Sequence, residues 1–342
     1  MPMLSKLMIF VFLFNVLFVK AQIQPDTILF IPDFFDKQQA LELQLMFDFK
    51  KFQKQKSKSE YLPAKLSYYL NNNRVEKNIR IKARGDSRLR VCFIPPMWIN
   101  IKNSEINNDY IANSKKIKLV TICKKDKLHE HYLMREYLAY KLYNIITDIS
   151  FRVRLVDLTI VDTGRKNSTH NEKAFILEPE MFVAQRNNAL PIKFNHFSSQ
   201  HIDSLAADIM YLFQYMIGNT DLAVRKRHNL KLIKHTDLSK PMLLPVPYDF
   251  DFSGLVNTYY AAPAEPIDIK EVTQRYYVGP FRSDQQHKKV IQIFLDKKNK
   301  ILSYIDTCRF LDKRSRKWTS YYIKDFYKEI ENKKFLKRLK SE

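Results

Sequence analysis

The chain has 342 residues, with 58 lysines and arginines against 36 aspartates and glutamates, a formal charge of +22 at pH 7. Such a surface favours anionic partners, and with 45% hydrophobic residues the chain can bury one large core or two smaller ones. No nucleic-acid-binding motif accompanies the charge, no apolar run reaches the roughly 20 residues of a membrane span, and the three cysteines lack zinc-site spacing.

The chain carries Lys6, an apolar run from Met8 to Val19, and then Val19-Lys20-Ala21, with small or medium residues at the places a signal peptidase reads. The expectation is a secretory signal over residues 1–21 and an exported protein, periplasmic or secreted. Leu41, Leu43, Leu45, Phe47 and Phe49 recur with the period of a strand, and the five lysines between Lys50 and Lys58 read as a solvated loop. Ile79, Ile81 and Ala83, then Met97, Ile99 and Ile101, then "KIKLVTIC" and "FRVRLVDLTIV" continue the strand habit. One helix interrupts them, from about Leu128 to Ile146, and residues 163–172 are linker-like, with Gly164 in a hairpin turn. Cys92 and Cys123 bracket two of these strands, so in an exported chain they are expected to pair and leave Cys308 free; three buried thiols are the alternative.

After about residue 195 the period changes. Leu205, Ile209, Leu212, Phe213 and Met216 share a helical face between Asp203 and Gly218. A polar loop, a strand "NLKLI", a turn near Ser239 and a strand "MLLPVP" follow, then loop to about Asp284 and two helices, with twelve basic residues against five acidic ones from Arg309 onward. A strand-rich half followed by a helical half predicts a two-lobed α+β protein, not a sandwich or a doubly wound sheet.

Three places collect residues that chemistry uses. In "PVPYDFDFSG", residues 245–254, Asp249 and Asp251 follow an apolar strand; two acids there need a cation, an arginine or a hydrogen-bond network. In "NTDLAVRKRHN", Asn219 and Asp221 follow the helix and Asn229 begins the next strand; the 28 positions from Asp221 to Asp249 suffice for a hairpin that returns the two acids to one place. Such a gathering of carboxylates and an amide suits Mg²⁺ or Mn²⁺. In "RGDSR", Arg84 to Arg88, a tight turn after a strand offers backbone N–H groups and guanidinium to phosphate. Three of the five glycines, Gly85, Gly218 and Gly254, flank these clusters. The order Asp, Asn, strand-end Asp is the working arrangement of kinases; structural carboxylates in a polar loop network are the alternative.

The succession "ARGDSR", "IPPMWINIK", "KIKLV" with "LMREYLAYKLYNII", "AFILEPEMF", "IGNTD" and "VPYDFDF", over about residues 75–260, resembles the secreted CotH kinase family. The resemblance implies an atypical protein-kinase-like fold over residues 22–342, with a strand-rich N-terminal lobe over about 22–180 and a helical C-terminal lobe over 181–342. It implies ATP with Mg²⁺ or Mn²⁺ as cofactor and a secreted or envelope protein as substrate. Carried over by position, Asp221 is the catalytic base, Asn229 and Asp249 are metal ligands, and Asp251 is a second ligand or a brace. Glu178 falls in the hinge that meets adenine. Arg84 belongs to the phosphate turn, Lys102 and Lys118 are the candidate phosphate-binding lysines, and Glu136 is the ion-pair partner of whichever serves. Two features depart from the family pattern: Asp86 stands where asparagine is favoured, and "AVRKR" lengthens the loop before Asn229, so that Arg225, Lys226, Arg227 and His228 offer contacts to an acidic or phosphorylated partner instead. Beside the kinase reading stand a degenerate kinase-fold binding protein for an anionic partner and a metal-dependent glycosyltransferase or nuclease; the last lacks the sheet pattern expected before its motif.

Overall fold

The structure, a computed structural model, describes residues 34–58, 60–70, 72–101, 110–194 and 197–340. The expected signal segment and Lys102 lie outside the described residues.

The mixed α+β class is as expected, but the strand-rich half closes on itself. Strands β1 (Leu41–Phe47), β2 (Leu62–Leu70), β3 (Asn73–Ala83), β4 (Met97–Ile101), β5 (Lys116–Thr121), β6 (Val153–Asp162) and β7 (Ser168–Leu177) form a barrel in the order β1-β2-β3-β4-β5-β7-β6. Neighbours are antiparallel except β1 and β6, which close the ring in parallel from Leu41 beside Val156 to Phe47 beside Asp162. Alternation along each strand does not encode this closure; the non-local pairing of β1 with β6 does. Leu45, Leu66, Ile81, Ile99, Leu119, Val156 and Ile176 fill the interior, each at its inward position.

Two local expectations change. The alternation toward Phe49 stops at Asp48, whose carboxylate accepts the Lys51 N–H at 2.8 Å and caps helix α1 (Phe49–Gln55), so most of the lysine-rich loop is helical and Phe52 is buried. Half of the linker-like stretch is strand: residues 163–167 turn, Ser168 pairs with Asp162, and the Gly164 N–H donates to the Asp162 carboxylate within the turn.

Two short helices follow in the barrel half, α2 (Ser87–Val91) and α3 (Tyr110–Asn113), and then the long α4 (Lys127–Ile146), capped by Asp126. Beyond the barrel come α5 (Glu180–Arg186), β8 (Ala189–Pro191), α6 (Ser204–Ile217), β9 (Leu230–His235), β10 (Leu243–Pro247), α7 (Asp284–Thr307), α8 (Lys313–Glu331) and α9 (Phe335–Leu339). The three strands here form a separate sheet of order β10-β9-β8.

A second core joins these helices to the outside of the barrel, where Val120, Val153, Leu155, Phe175 and Leu177 meet Leu133, Tyr137 and Leu138 of α4. The ends of β6 and β7 beside α4, Val153–Val156 and Ala174–Leu177, are therefore covered on both faces and buried at every residue. Cys92 and Cys123 form a disulfide, with their Cα atoms 4.4 Å apart, and Cys308 is a free buried thiol. The bond fastens the end of α2 to the chain just after β5, and the Phe93 N–H adds a 2.8 Å bond to the Cys123 carbonyl. Among the described residues no helix is long and apolar enough to cross a membrane.

Candidate functional site

Helix α6 stops at Gly218, whose φ of +64° suits glycine and whose absent Cβ would collide with the Tyr322 hydroxyl. The Gly254 N–H donates to the Gly218 carbonyl at 2.9 Å, so the loop after the helix is tied to the loop after the paired acids. The β9–β10 hairpin supplies the other link. Leu230 pairs with Pro247, and the Tyr248 N–H donates to the Asn229 carbonyl at 3.0 Å, which brings Asn229 alongside the segment that carries Asp249.

Asp221, Asn229 and His228 form one wall. The Asn229 amide donates to Asp221 Oδ2 at 2.8 Å, His228 Nε2 lies 2.8 Å from Asp221 Oδ1, and the Asp221 N–H donates to Asn219 Oδ1 at 3.1 Å. Asn229 and Asp249 both have positive φ, +53° and +67°, in the region that asparagine and aspartate enter more readily than other residues with a Cβ. The Tyr140 hydroxyl, accepting the Asp249 N–H at 2.8 Å, helps hold that turn, and Phe250 anchors it against Tyr140 and Phe213.

The cation that the paired acids require is Arg88. Its guanidinium is buried, with Nε donating to Asp251 Oδ2 at 2.8 Å and Nη2 to Glu136 Oε2 at 2.5 Å, while Asp249 Oδ1 lies 4.0 Å from Nη2. Tyr260 donates its hydroxyl to the same Asp251 oxygen at 2.9 Å. Burial pushes the Glu136 carboxyl up to about 7 despite Arg88, and burial also raises Asp251, with Arg88 opposing. Burial pulls Arg88 down, but Asp251 and Glu136 more than offset it. Asp249 goes the other way: burial would raise it, yet Lys118, Arg88 and Arg84 together hold it well below the usual carboxylate range.

Lys118 points outward from β5 toward these acids. Its amine is buried without a hydrogen-bond partner among the described residues, 3.9 Å from Asp249 Oδ2 and 4.8 Å from the centre of the Tyr248 ring. Burial brings it down to about 8, although Asp249 pulls the other way.

A cleft of about 580 Å³ brings together Arg84, Arg88, Asp221, Asn229, Asp249 and Asp251, with the exposed Asp86 at its rim in an ion pair with Arg90. The expected partnership of Glu136 with Lys118 is replaced by Glu136 with Arg88. Glu178 stays apart from the cleft: both carboxylate oxygens are taken by Arg152 and Arg186 at 3.0–3.3 Å, so the side chain braces the end of β7. Arg88 is the central residue that the motif reading left at the margin. "RGDSR" contained it, but nothing in the spacing ties it to Glu136 or Asp251. Tyr140 and Tyr260, which steady the two acids, carried no signal beyond being aromatic.

The donor set divides when tested against a divalent ion. Asp251 is committed to Arg88 and Tyr260 and fits as a brace. Asp249 is within charge range of Arg88 and Lys118 but beyond hydrogen-bond distance of either, and Asn229 uses its NH₂ on Asp221, which leaves its carbonyl oxygen as the ligating atom. Among the described residues no group of three or more histidine, cysteine, aspartate or glutamate side chains is arranged to hold a metal. An ion here would rest on Asp249 and the Asn229 amide and draw its remaining ligands from substrate and water, as Mg²⁺ commonly does.

No protein-family model matches the chain, and no curated protein does. Among solved structures, the proinflammatory kinase CtkA of Helicobacter pylori is similar at 12% sequence identity, covering 81% of this chain and 90% of that one, with a TM-score of 0.36. A kinase is thus a loose structural neighbour, and membership of the CotH family is not shown.

Proposed function

We propose that the protein is a CotH-like phosphotransferase that moves phosphate from ATP to a hydroxyl of an exported protein. The observation that carries the reading is convergence: Asp221 and Asn229, from the loop before β9, and Asp249, from the segment after β10, meet in one cleft beside the buried amine of Lys118, which has no hydrogen-bond partner among the described residues. In this reading Asp221 takes the proton of the attacking hydroxyl, and His228 and Asn229 fix its two oxygens in direction. Lys118 and Arg84 bind phosphate oxygens. For Lys118, an anion would supply the hydrogen-bond partner it lacks among the described residues. Asp249 and Asn229 hold Mg²⁺ or Mn²⁺, with Asp251 as brace; when bound, the ion neutralises charge on the phosphates. The Cys92–Cys123 disulfide agrees with export, the compartment in which such bonds persist.

Thermal melting with ATP and Mg²⁺ or Mn²⁺ tests the site directly. At nucleotide a hundredfold above Kd the stabilisation is about 2.7 kcal/mol, several degrees in melting temperature. Asp249→Ala loses that rise, whereas Asp221→Asn keeps it and loses phosphate transfer. No shift at millimolar nucleotide with either metal removes the reading.

One observation favours a second reading, a kinase-fold binding protein for an anionic partner. Arg88 and Lys118 already supply positive charge to Asp251 and Asp249, so the acids have internal compensation. That reading predicts partner binding with no nucleotide shift.

A further inference from the structure

The outer face of the β3–β4–β5 ladder, next to the cleft, carries cations in register. Arg80 pairs across Asn100 with Lys116, and Lys82 pairs across Trp98 with Lys118, while the alternate residues Ile79, Ile81, Ile99, Ile117 and Leu119 point into the barrel. Three aromatic rings each collect two of the local cations: Arg80 and Lys82 lie over Tyr61, Arg84 and Lys116 over Trp98, and Lys118 and Lys231 over Tyr248, all within 4.2–5.8 Å of the ring centres. Lys82, Arg84 and Lys116 have no carboxylate partner among the described residues, and the acid near Lys231 is Glu180 at 3.9 Å. Burial, then the charges of Lys82, Arg84 and Lys231, depress Lys116, as expected where like charges are massed.

We infer that this shelf, with Lys82 and Lys116 around Trp98 at its centre, docks an acidic segment of the acceptor protein beside its reacting hydroxyl. The word acceptor rests on the phosphotransfer reading; the shelf itself does not. Strands about 4.8 Å apart, with outward residues about 6.8 Å apart along each, make a patch roughly 10 Å by 7 Å. That matches a few carboxylates of an extended peptide, which recur on one side at the same 6.8 Å. A nucleic acid fits less well: the Trp98 ring already serves two cations instead of offering an open face to a base, and a duplex calls for a longer basic track. The closed barrel leaves no strand edge for the peptide to extend, so side-chain charge must carry recognition.

The test is binding of a labelled serine peptide with glutamates at alternating positions, followed by fluorescence anisotropy in the absence of nucleotide. A glutamine-substituted peptide and a single-stranded oligonucleotide of equal charge serve as comparisons, and phosphate transfer to both peptides is measured separately. The expected result is preference for the acidic peptide, weakened about fivefold or more by Lys82→Ala with Lys116→Ala and by high salt, and unchanged by Lys324→Ala, an exposed lysine of α8. Equal binding of the two peptides, equal loss in Lys324→Ala, or tighter binding of the oligonucleotide overturns the shelf. Acidic-peptide binding that depends on Lys82 and Lys116 without any phosphate transfer keeps the shelf and removes the kinase reading. Transfer to both peptides with equal kcat/KM, unaffected in the double variant, does the reverse.

Discussion

On one wall of the cleft, Asp221 is held by residues of its own loop, His228 and Asn229, seven and eight positions along the chain. Behind the cleft, Arg88 joins Glu136 and Asp251, which are 48 and 163 positions away. The first group is partly open to water, and the second is nearly excluded from it. The same chemistry, charge against charge, therefore does different work in the two places. In water a lost pair is resolvated at little cost, whereas in the interior a lost partner strands a charge. The wall is suited to reacting with what enters the cleft, and the buried cluster to holding barrel, α4 and the acid loop in one arrangement.

The largest expected effect follows from removing the centre of the buried group. Arg88→Ala leaves Glu136 and Asp251 without their cation and is expected to cost about 3–5 kcal/mol in urea unfolding, against about 1 kcal/mol or less for Asp221→Asn. If Arg88→Ala costs no more than Asp221→Asn, the contrast between the two groups collapses, and the acids behind the cleft are neutral without Arg88.

Next comes the pH dependence of metal-free protein. Glu136 is raised from an ordinary 4.5 to about 7, so between those values the folded state holds a proton that the unfolded state has released. Its stabilising contribution is complete below about pH 4.5 and is lost as pH rises through 7, a change on the order of 3 kcal/mol if the whole shift is expressed. Glu136→Gln, which retains an oxygen for Arg88, should flatten that part of the stability profile. Lys118 has the opposite sign: lowered to about 8, it makes stability rise as pH climbs from 8 toward the ordinary lysine value. An unaltered acid-side slope in Glu136→Gln would assign the titration to Asp251, the other buried acid on Arg88.

This contrast also explains what the sequence disclosed. The Asp221–Asn229 wall was legible because hairpin length and turn residues are local quantities: β9 and β10 form the expected hairpin, and Gly218 and Gly254, conspicuous in a glycine-poor chain, meet each other. Strands β1, β3, β4, β5 and β6 were legible for the same reason, since Ile79, Ile81, Met97 and Ile99 declare a period of two, whereas β2 was not singled out and the start of β7 read as linker. The closure of β1 on β6 was not, because pairing partners over a hundred positions apart leave no mark on either strand's period. Arg88 was hidden likewise. A short helix after "RGD" determines where its guanidinium points, and the Cys92–Cys123 bond, which the cysteine count did suggest, fastens the end of that helix. Glu178 shows the converse, since position in a strand-end motif gave no sign of the two arginines that occupy its side chain.

The smallest expected effect sharpens the exposed wall. His228 is more than half exposed, and its contact with Asp221 is of the surface kind, so His228→Gln should change stability by no more than about 1 kcal/mol. On the proposed phosphotransfer reading, its effect on transfer should also be modest, below about tenfold, because the Asn229 amide still fixes the other Asp221 oxygen and the proposed base is intact. Asp221→Asn, by contrast, removes the proposed proton acceptor and should cost that transfer about 10²–10⁴-fold. The two substitutions therefore separate orientation from chemistry at one carboxylate. A loss in His228→Gln as deep as in Asp221→Asn would transfer the base to the imidazole, with Asp221 as its anchor, and the pH–rate profile would then follow a histidine instead of a carboxylate.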